Sequence, residues 1–298
     1  MLNGKLSAMR LCLCALALMS CSPAPESVST PKIIQGHAAE ALSYPVVALL
    51  KEDTGGVWYS YCSGVMIAAD RLLTAAHCTQ SSSGDVYEAS SVRVQWGHKD
   101  PEADLSQAYA VASLFVHPQY NPAEMRKDKD GLIKPGAAYD IALWTLQQPI
   151  TDPLFHPAAI MPTEELGASL QKEQEILLLG YGQTSAWGSP WEKRQLMEAI
   201  TLYKPQLVWN VKRRELVNGR VITRTVTLEF PGSNGTEFYA GDRNLPDTCK
   251  GDSGGPAMMK DAAGTWKLLG LTSRGDANCD RGGVYTLVPL MQRWFADL

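Results

Sequence analysis

Short apolar runs recur along this chain from Val46 onward: Val46–Leu50, Val65–Ile67, Val92–Trp96, Ala142–Leu146, Ile176–Leu179 and Leu268–Leu271. Gly, Pro, Asp and Ser separate them. Runs this short, punctuated this often, predict strands rather than helices, and so many of them predict an all-β sandwich or barrel. Asn218-Gly219, between Leu207–Val217 and Arg220–Phe230, predicts a tight hairpin because both turn residues tolerate a positive φ. Arg213, Arg214, Arg220 and Arg224 decorate that hairpin, as a basic binding strip or simply as a solvated face. Leu287, Leu290, Met291, Trp294, Phe295 and Leu298 fall at helical spacing and predict one C-terminal helix whose stripe packs on the core.

With 298 residues, 45% of them hydrophobic, the chain can bury one large core or two small ones. A net charge of −4 does not suggest a nucleic-acid partner. Lys5 and Arg10 precede an apolar stretch from Leu11 to Met19, which has the length of a signal h-region and is too short for a mature membrane span. Residues 1–20 are therefore expected to be a signal peptide. Leu18-Met19-Ser20-Cys21 resembles a bacterial lipobox, in which Cys21 would carry a lipid anchor; the alternative is an ordinary signal with a cysteine near its end. Residues 21–32, rich in Pro, Ser and Thr, read as an extended tether. Cys62, Cys78, Cys249 and Cys279 remain for the body of the protein, and four cysteines in an exported chain favour two disulfides. No clustered His/Cys spacing suggests a metal, and no motif calls for a cofactor.

The chemistry concentrates in Gly251-Asp252-Ser253-Gly254-Gly255-Pro256. A serine hydroxyl is a weak nucleophile that needs a nearby base, and acyl transfer needs backbone N–H donors for the oxyanion. This window resembles the nucleophile motif of the chymotrypsin/trypsin family. Thr74-Ala75-Ala76-His77-Cys78 resembles its histidine motif, and Asp140-Ile141-Ala142-Leu143 its aspartate motif, in the family's chain order. The resemblance extends from Ile33 to Leu298. It implies two packed six-stranded antiparallel β-barrels with a C-terminal helix, the first barrel over about 33–155 and the second over about 156–298. It also implies a catalytic triad of His77, Asp140 and Ser253, an oxyanion hole from Gly251 and Ser253, and the disulfides Cys62–Cys78 and Cys249–Cys279.

Asp247, six residues before Ser253, occupies the place where the trypsin subgroup carries its specificity aspartate. The resemblance therefore implies cleavage after Lys or Arg, with Thr248, Gly275 and Gly283 shaping the pocket and Tyr285 near its floor. Ser273-Arg274-Gly275 resembles the substrate-binding edge strand, but Arg274 stands where an apolar platform is usual. That cation, with Lys250, is expected to favour acidic residues upstream of the cleaved bond. Tyr239 stands where many relatives have a further cysteine.

Lys32-Ile33-Ile34-Gln35-Gly36 is similar to the family's activation junction. The resemblance implies a zymogen cut after Lys32, whose new Ile33 amine pairs with Asp252. That cut would also separate the protease from Cys21 and release it from the membrane. The expected partners are protein or peptide substrates, met by a monomer. Two other readings stay open: a catalytically silent binding lipoprotein, and a processing factor with one target whose access is restricted by Arg274 and by the charged loop 121–138.

Overall fold

In the computed structural model, the described residues are 33–122, 139–171, 173–183, 194–205, 207–230, 235–276, 278–296 and 298. Residues 1–32, on which the expected signal peptide, Cys21 and Lys32 fall, lie outside that set, as do residues 123–138 of the charged loop. The first barrel closes six antiparallel strands: β2 (Val46–Glu52), β3 (Trp58–Met66), β4 (Arg71–Thr74), β5 (Val92–Trp96), β6 (Tyr109–Val116) and β7 (Ala142–Leu146), in the order β2-β3-β4-β7-β6-β5. The second closes β8 (Glu175–Gly180), β9 (Met197–Lys204), β12 (Glu237–Ala240), β13 (Pro256–Lys260), β14 (Trp266–Gly275) and β15 (Gly283–Leu287), with β8 pairing both β9 and β13. A short β1 (His37–Ala38) adds to β9, so the segment that begins at Ile33 packs on the second barrel before the chain enters the first.

The apolar runs lack strict alternation because both faces of several strands are buried. In β2, Val47 and Leu49 point into the first barrel with Trp96 and Trp144, while Val46, Ala48 and Leu50 meet Leu177, Leu179 and Met258 of the second. In β8 the alternation is mirrored: Ile176 and Leu178 fill the second barrel, and Leu177 and Leu179 face the first. Period-two geometry thus lets one strand serve a barrel interior and the joint between barrels.

The hairpin forms as the sequence predicts. β10 (Leu207–Val217) pairs antiparallel with β11 (Arg220–Phe230) in a separate two-stranded sheet, and Asn218 and Gly219 both take positive φ, 50° and 74°. The C-terminal segment differs from expectation. Pro289 begins a 3-10 turn (Val288–Met291), and only Gln292–Ala296 is α-helical, so the register of a continuous helix is broken. Leu287, Met291 and Phe295 are buried as predicted, but Leu290 and Leu298 are exposed.

Candidate active site

His77 sits on a 3-10 turn (Ala76–Cys78) that leaves β4 at the barrel rim, and the Cys62–Cys78 bridge ties that turn to β3. Asp140, fully buried just before β7, accepts the His77 backbone N–H at Oδ1 (3.0 Å) and faces His77 Nδ1 with Oδ2 (2.8 Å). Its Oδ2 also accepts the Ser273 hydroxyl from β14 (2.6 Å). Burial alone would raise the Asp140 carboxyl, but the charge of His77 and the hydrogen bonds from His77 and Ser273 outweigh it and hold the group below its ordinary value. For His77, burial pulls down while Asp140 pushes up; the carboxylate wins, and the imidazole titrates above its usual range. An imidazole fixed through Nδ1 and 30% exposed offers its other nitrogen as a base.

The window 251–256 is packed against the first barrel. Gly254 has φ of +79°, and a Cβ there would collide with Thr74 Oγ1 and Ser63 O, so only glycine lets the chain approach β3 and β4 this closely. Ser63 N donates to Ser253 O (2.8 Å), which places the Ser253 backbone beside the Cys62–Cys78 bridge. The Lys250 carbonyl accepts Gln183 N (2.7 Å) and Arg194 Nη1 (3.1 Å). Because the peptide is planar and trans, the Gly251 N–H points away from those two donors.

Sequence reasoning missed Ser63. Its hydroxyl donates to Gly251 O (2.9 Å) and accepts from Tyr181 N (2.9 Å), pinning β3, the 251 turn and the end of β8 at one buried point. The only signal was a small polar residue next to Cys62. Ser63→Ala should deprive the partly buried Gly251 carbonyl and the buried Tyr181 N–H of this partner, costing about 2 kcal/mol in urea unfolding and lowering kcat more than it changes KM.

Beside Ser253 lies a cavity of about 190 Å³ walled by Thr248, Lys250, Ser273, Gly275, Asp276 and Cys279 among others, with Cys249–Cys279 bridging its edge. Asp247 does not wall the cavity. It is buried behind Thr248, with Oδ1 accepting Thr248 N (2.8 Å) and Oδ2 accepting Gly282 N (2.9 Å). Burial is the dominant influence and raises its carboxyl from 3.8 to about 7, against backbone hydrogen bonds that lower it. Asp276, also unforeseen, is an acid that does wall the cavity, with Arg281 Nε 3.9 Å from its Oδ2. Gly283 backs onto Tyr285, whose hydroxyl lies 3.4 Å from Thr248 Oγ1.

Arg274 corrects an expectation. Its side chain is 6% exposed and locked to the equally buried Glu237 through two hydrogen bonds, Nη1–Oε1 at 2.6 Å and Nη2–Oε2 at 3.0 Å. A cation paired in this way is not presented as an uncompensated charge, whereas Lys250, also at the cavity, is exposed. Cys62, His77 and Cys78 bring ligand atoms together, but both thiols are consumed in a disulfide and offer no metal a thiolate.

Ile33 is 1% exposed and packs in the second barrel, with Ile34 and Asp247 exchanging backbone hydrogen bonds (3.1 and 3.3 Å). Its φ is +46°, an outlying conformation for a β-branched residue. Asp252 is completely buried, accepting Gly182 N (2.7 Å) and Cys249 N (2.8 Å). Burial raises its carboxyl to about 6 despite those bonds and the nearby Arg194 charge.

The Trypsin family model matches residues 33–295. Curated relatives include chymotrypsin-like elastase family member 1 of Rattus norvegicus, 27% identical over 81% of this chain and 78% of its own length. CLIP domain-containing serine protease HP8 of Bombyx mori is 29% identical over 88% of this chain and 68% of its own. A trypsin of Simulium vittatum is 27% identical over 88% and 91%. With two closed barrels, a buried carboxylate holding a histidine at their joint and a family match across nearly the whole described domain, this chain belongs to the trypsin family of serine endopeptidases.

Proposed function

We propose that this protein cleaves peptide bonds after Lys or Arg, with Ser253 as nucleophile, His77 as general base and acid, Asp140 as the group that orients and stabilises the imidazolium, and the Gly251 and Ser253 N–H groups as the oxyanion hole. The observation that carries the specificity is Asp247. Among the described residues its carboxylate accepts from the Thr248 and Gly282 backbone N–H groups, and burial raises it to about 7 against those bonds, which supports a charge left under-compensated. A substrate cation entering through the cavity would relieve that penalty, and a neutral side chain would not. A second reading has its own support: Asp247 lies behind the cavity wall, and the rat relative is named an elastase. Cleavage after small neutral residues is that alternative. A panel of peptides differing only in Arg, Lys, Ala or Val before the scissile bond decides between them by kcat/KM.

On this proposal the chain is made as a zymogen cut after Lys32. The Ile33 side chain packs in the second barrel and cleavage would add an ammonium at its backbone end, while Asp252 is a buried carboxylate that burial raises to about 6 even with the Arg194 charge nearby. Pairing with the amine should draw the Asp252 carboxyl down from about 6. A group with a raised folded pKa lowers stability as pH climbs from its ordinary value through that pKa, and is neutral below both. The thermal midpoint of the cut form should therefore exceed that of the precursor at pH 8, with the gap closing by pH 4. An equal gap at both pH values would argue against the Ile33–Asp252 pair.

The two disulfides fit an oxidising compartment. The relatives named above are animal enzymes, and the lipid on Cys21 rests on the four residues Leu18–Cys21 alone. Intact mass and N-terminal sequencing of the exported protein test the lipid, the signal cut and an Ile33 terminus together.

A further inference from the structure

Behind the triad, strands β12 and β14 flank β15, and each contributes one member of a buried ion pair: Glu237 and Arg274. Two buried charges are expensive to keep, and an apolar pair of similar volume would serve packing as well or better. The pair is not isolated. Arg274 Nη1, already donating to Glu237 Oε1, lies 3.3 Å from Ser273 Oγ, and Ser273 Oγ donates to Asp140 Oδ2 at 2.6 Å. A guanidinium can only donate. The Ser273 oxygen must therefore accept from Arg274, and its single proton is left to Asp140.

We propose that the Glu237–Arg274 pair is a positioning device for the catalytic base, fixing the Ser273 hydroxyl toward Asp140 and setting the net charge against which His77 exchanges its proton. The inference rests on the triad reading above. Hydrogen-bond direction runs from Arg274 through Ser273 to Asp140, which receives His77 Nδ1 from the other side. Glu237 clamps the guanidinium plane with both oxygens, so the donor cannot rotate away. The groups that meet this network are Asp140 and Arg274, which act on His77 with opposite sign, Glu237, and the phenols of Tyr120 and Tyr239. Burial is the main influence on both phenols and keeps them neutral through the range in which His77 titrates.

The two partners should move His77 in opposite directions. In a Ser253→Ala background, which prevents self-digestion, NMR titration of the His77 ring should give a pKa about half a unit or more higher in Arg274→Met and lower in Glu237→Gln. Arg274→Lys keeps the charge and should stay near the parent. In chains retaining Ser253, the acid limb of fluorophosphonate labelling should shift the same way. Should either single variant fail to fold with one charge stranded, Glu237→Met/Arg274→Met removes both. It should fold, with kcat lower by about tenfold and KM for a short substrate unchanged. Shifts of the same sign in the single variants, or a double variant with parental kcat and pH profile, would overturn the proposal. If the form cut after Lys32 is not labelled by the fluorophosphonate, the triad reading fails, while the His77 titration still decides this one.

Discussion

Replacing Ser253 with alanine is expected to lower kcat by about 10⁶-fold and leave KM nearly unchanged. The nucleophile's contribution depends on its base, so His77→Ala should cost a similar factor and the double variant little more. Such non-additivity separates a working triad from three residues that merely share a cleft. Residual hydrolysis should survive in all three, because the Gly251 N–H is held by the Lys250 carbonyl's bonds to Gln183 and Arg194, and neither involves the triad side chains. The same Ser253→Ala chain reads out activation. Kept pure, it should retain the Lys32–Ile33 bond if the zymogen cuts itself, and lose that bond only when active enzyme is added. A pure chain retaining Ser253 that also keeps the bond, and loses it only when another enzyme is added, would assign the step to a different protease.

The second large effect concerns Asp247. Asp247→Ser should reduce kcat/KM on Arg and Lys substrates by about 10³-fold, the scale of stranding one partner of a buried charge pair. Stability should move the other way. The folded carboxyl titrates near 7 instead of 3.8, so the folded state keeps a proton that the unfolded state has lost, and stability declines as pH rises between those values. Raising the carboxyl from 3.8 to about 7 corresponds to about 4 kcal/mol at pH 8, less what the Thr248 and Gly282 N–H groups lose with their acceptor. Urea unfolding should therefore show the variant gaining on the parent at pH 8 and not at pH 4. Asp276→Asn is the control: Asp276 walls the cavity but has Arg281 beside it, so its loss should affect Arg substrates much less. If Asp276→Asn proved the more damaging change, the specificity acid would have to be reassigned.

Much of this site was legible because its chemistry is local in sequence. The turn that holds His77 and the window around Ser253 are contiguous, and the Asn-Gly hairpin specifies itself through two positive φ angles. Illegible features belong to pairs that meet only in three dimensions. Arg274 stood out as a departure, yet its partner Glu237 lies 37 residues away on another strand, and no local pattern announces it. Without the partner, the charge reads as available to substrate; with it, the charge faces the triad. Ser63 was invisible for a related reason: its role comes from a carbonyl 188 residues away. At the C-terminus, apolar spacing was legible but Pro289 was underweighted, and a 3-10 turn expels Leu290 from the core.

The backbone of Ile33 has a meaning beyond local strain. A φ angle is defined by the carbonyl carbon of the preceding residue, so once the Lys32–Ile33 bond is hydrolysed the torsion at +46° no longer exists. Whatever this conformation costs the uncut chain, on the order of 1–3 kcal/mol, is removed and cannot be reimposed while the bond stays open. Product and precursor then differ by more than a peptide bond: resealing would have to rebuild an unfavourable torsion and, on the proposed pairing, break the contact between the Ile33 amine and Asp252. On the proposed activation, cleavage acts as a ratchet: it releases a torsion that only an intact Lys32–Ile33 bond can impose.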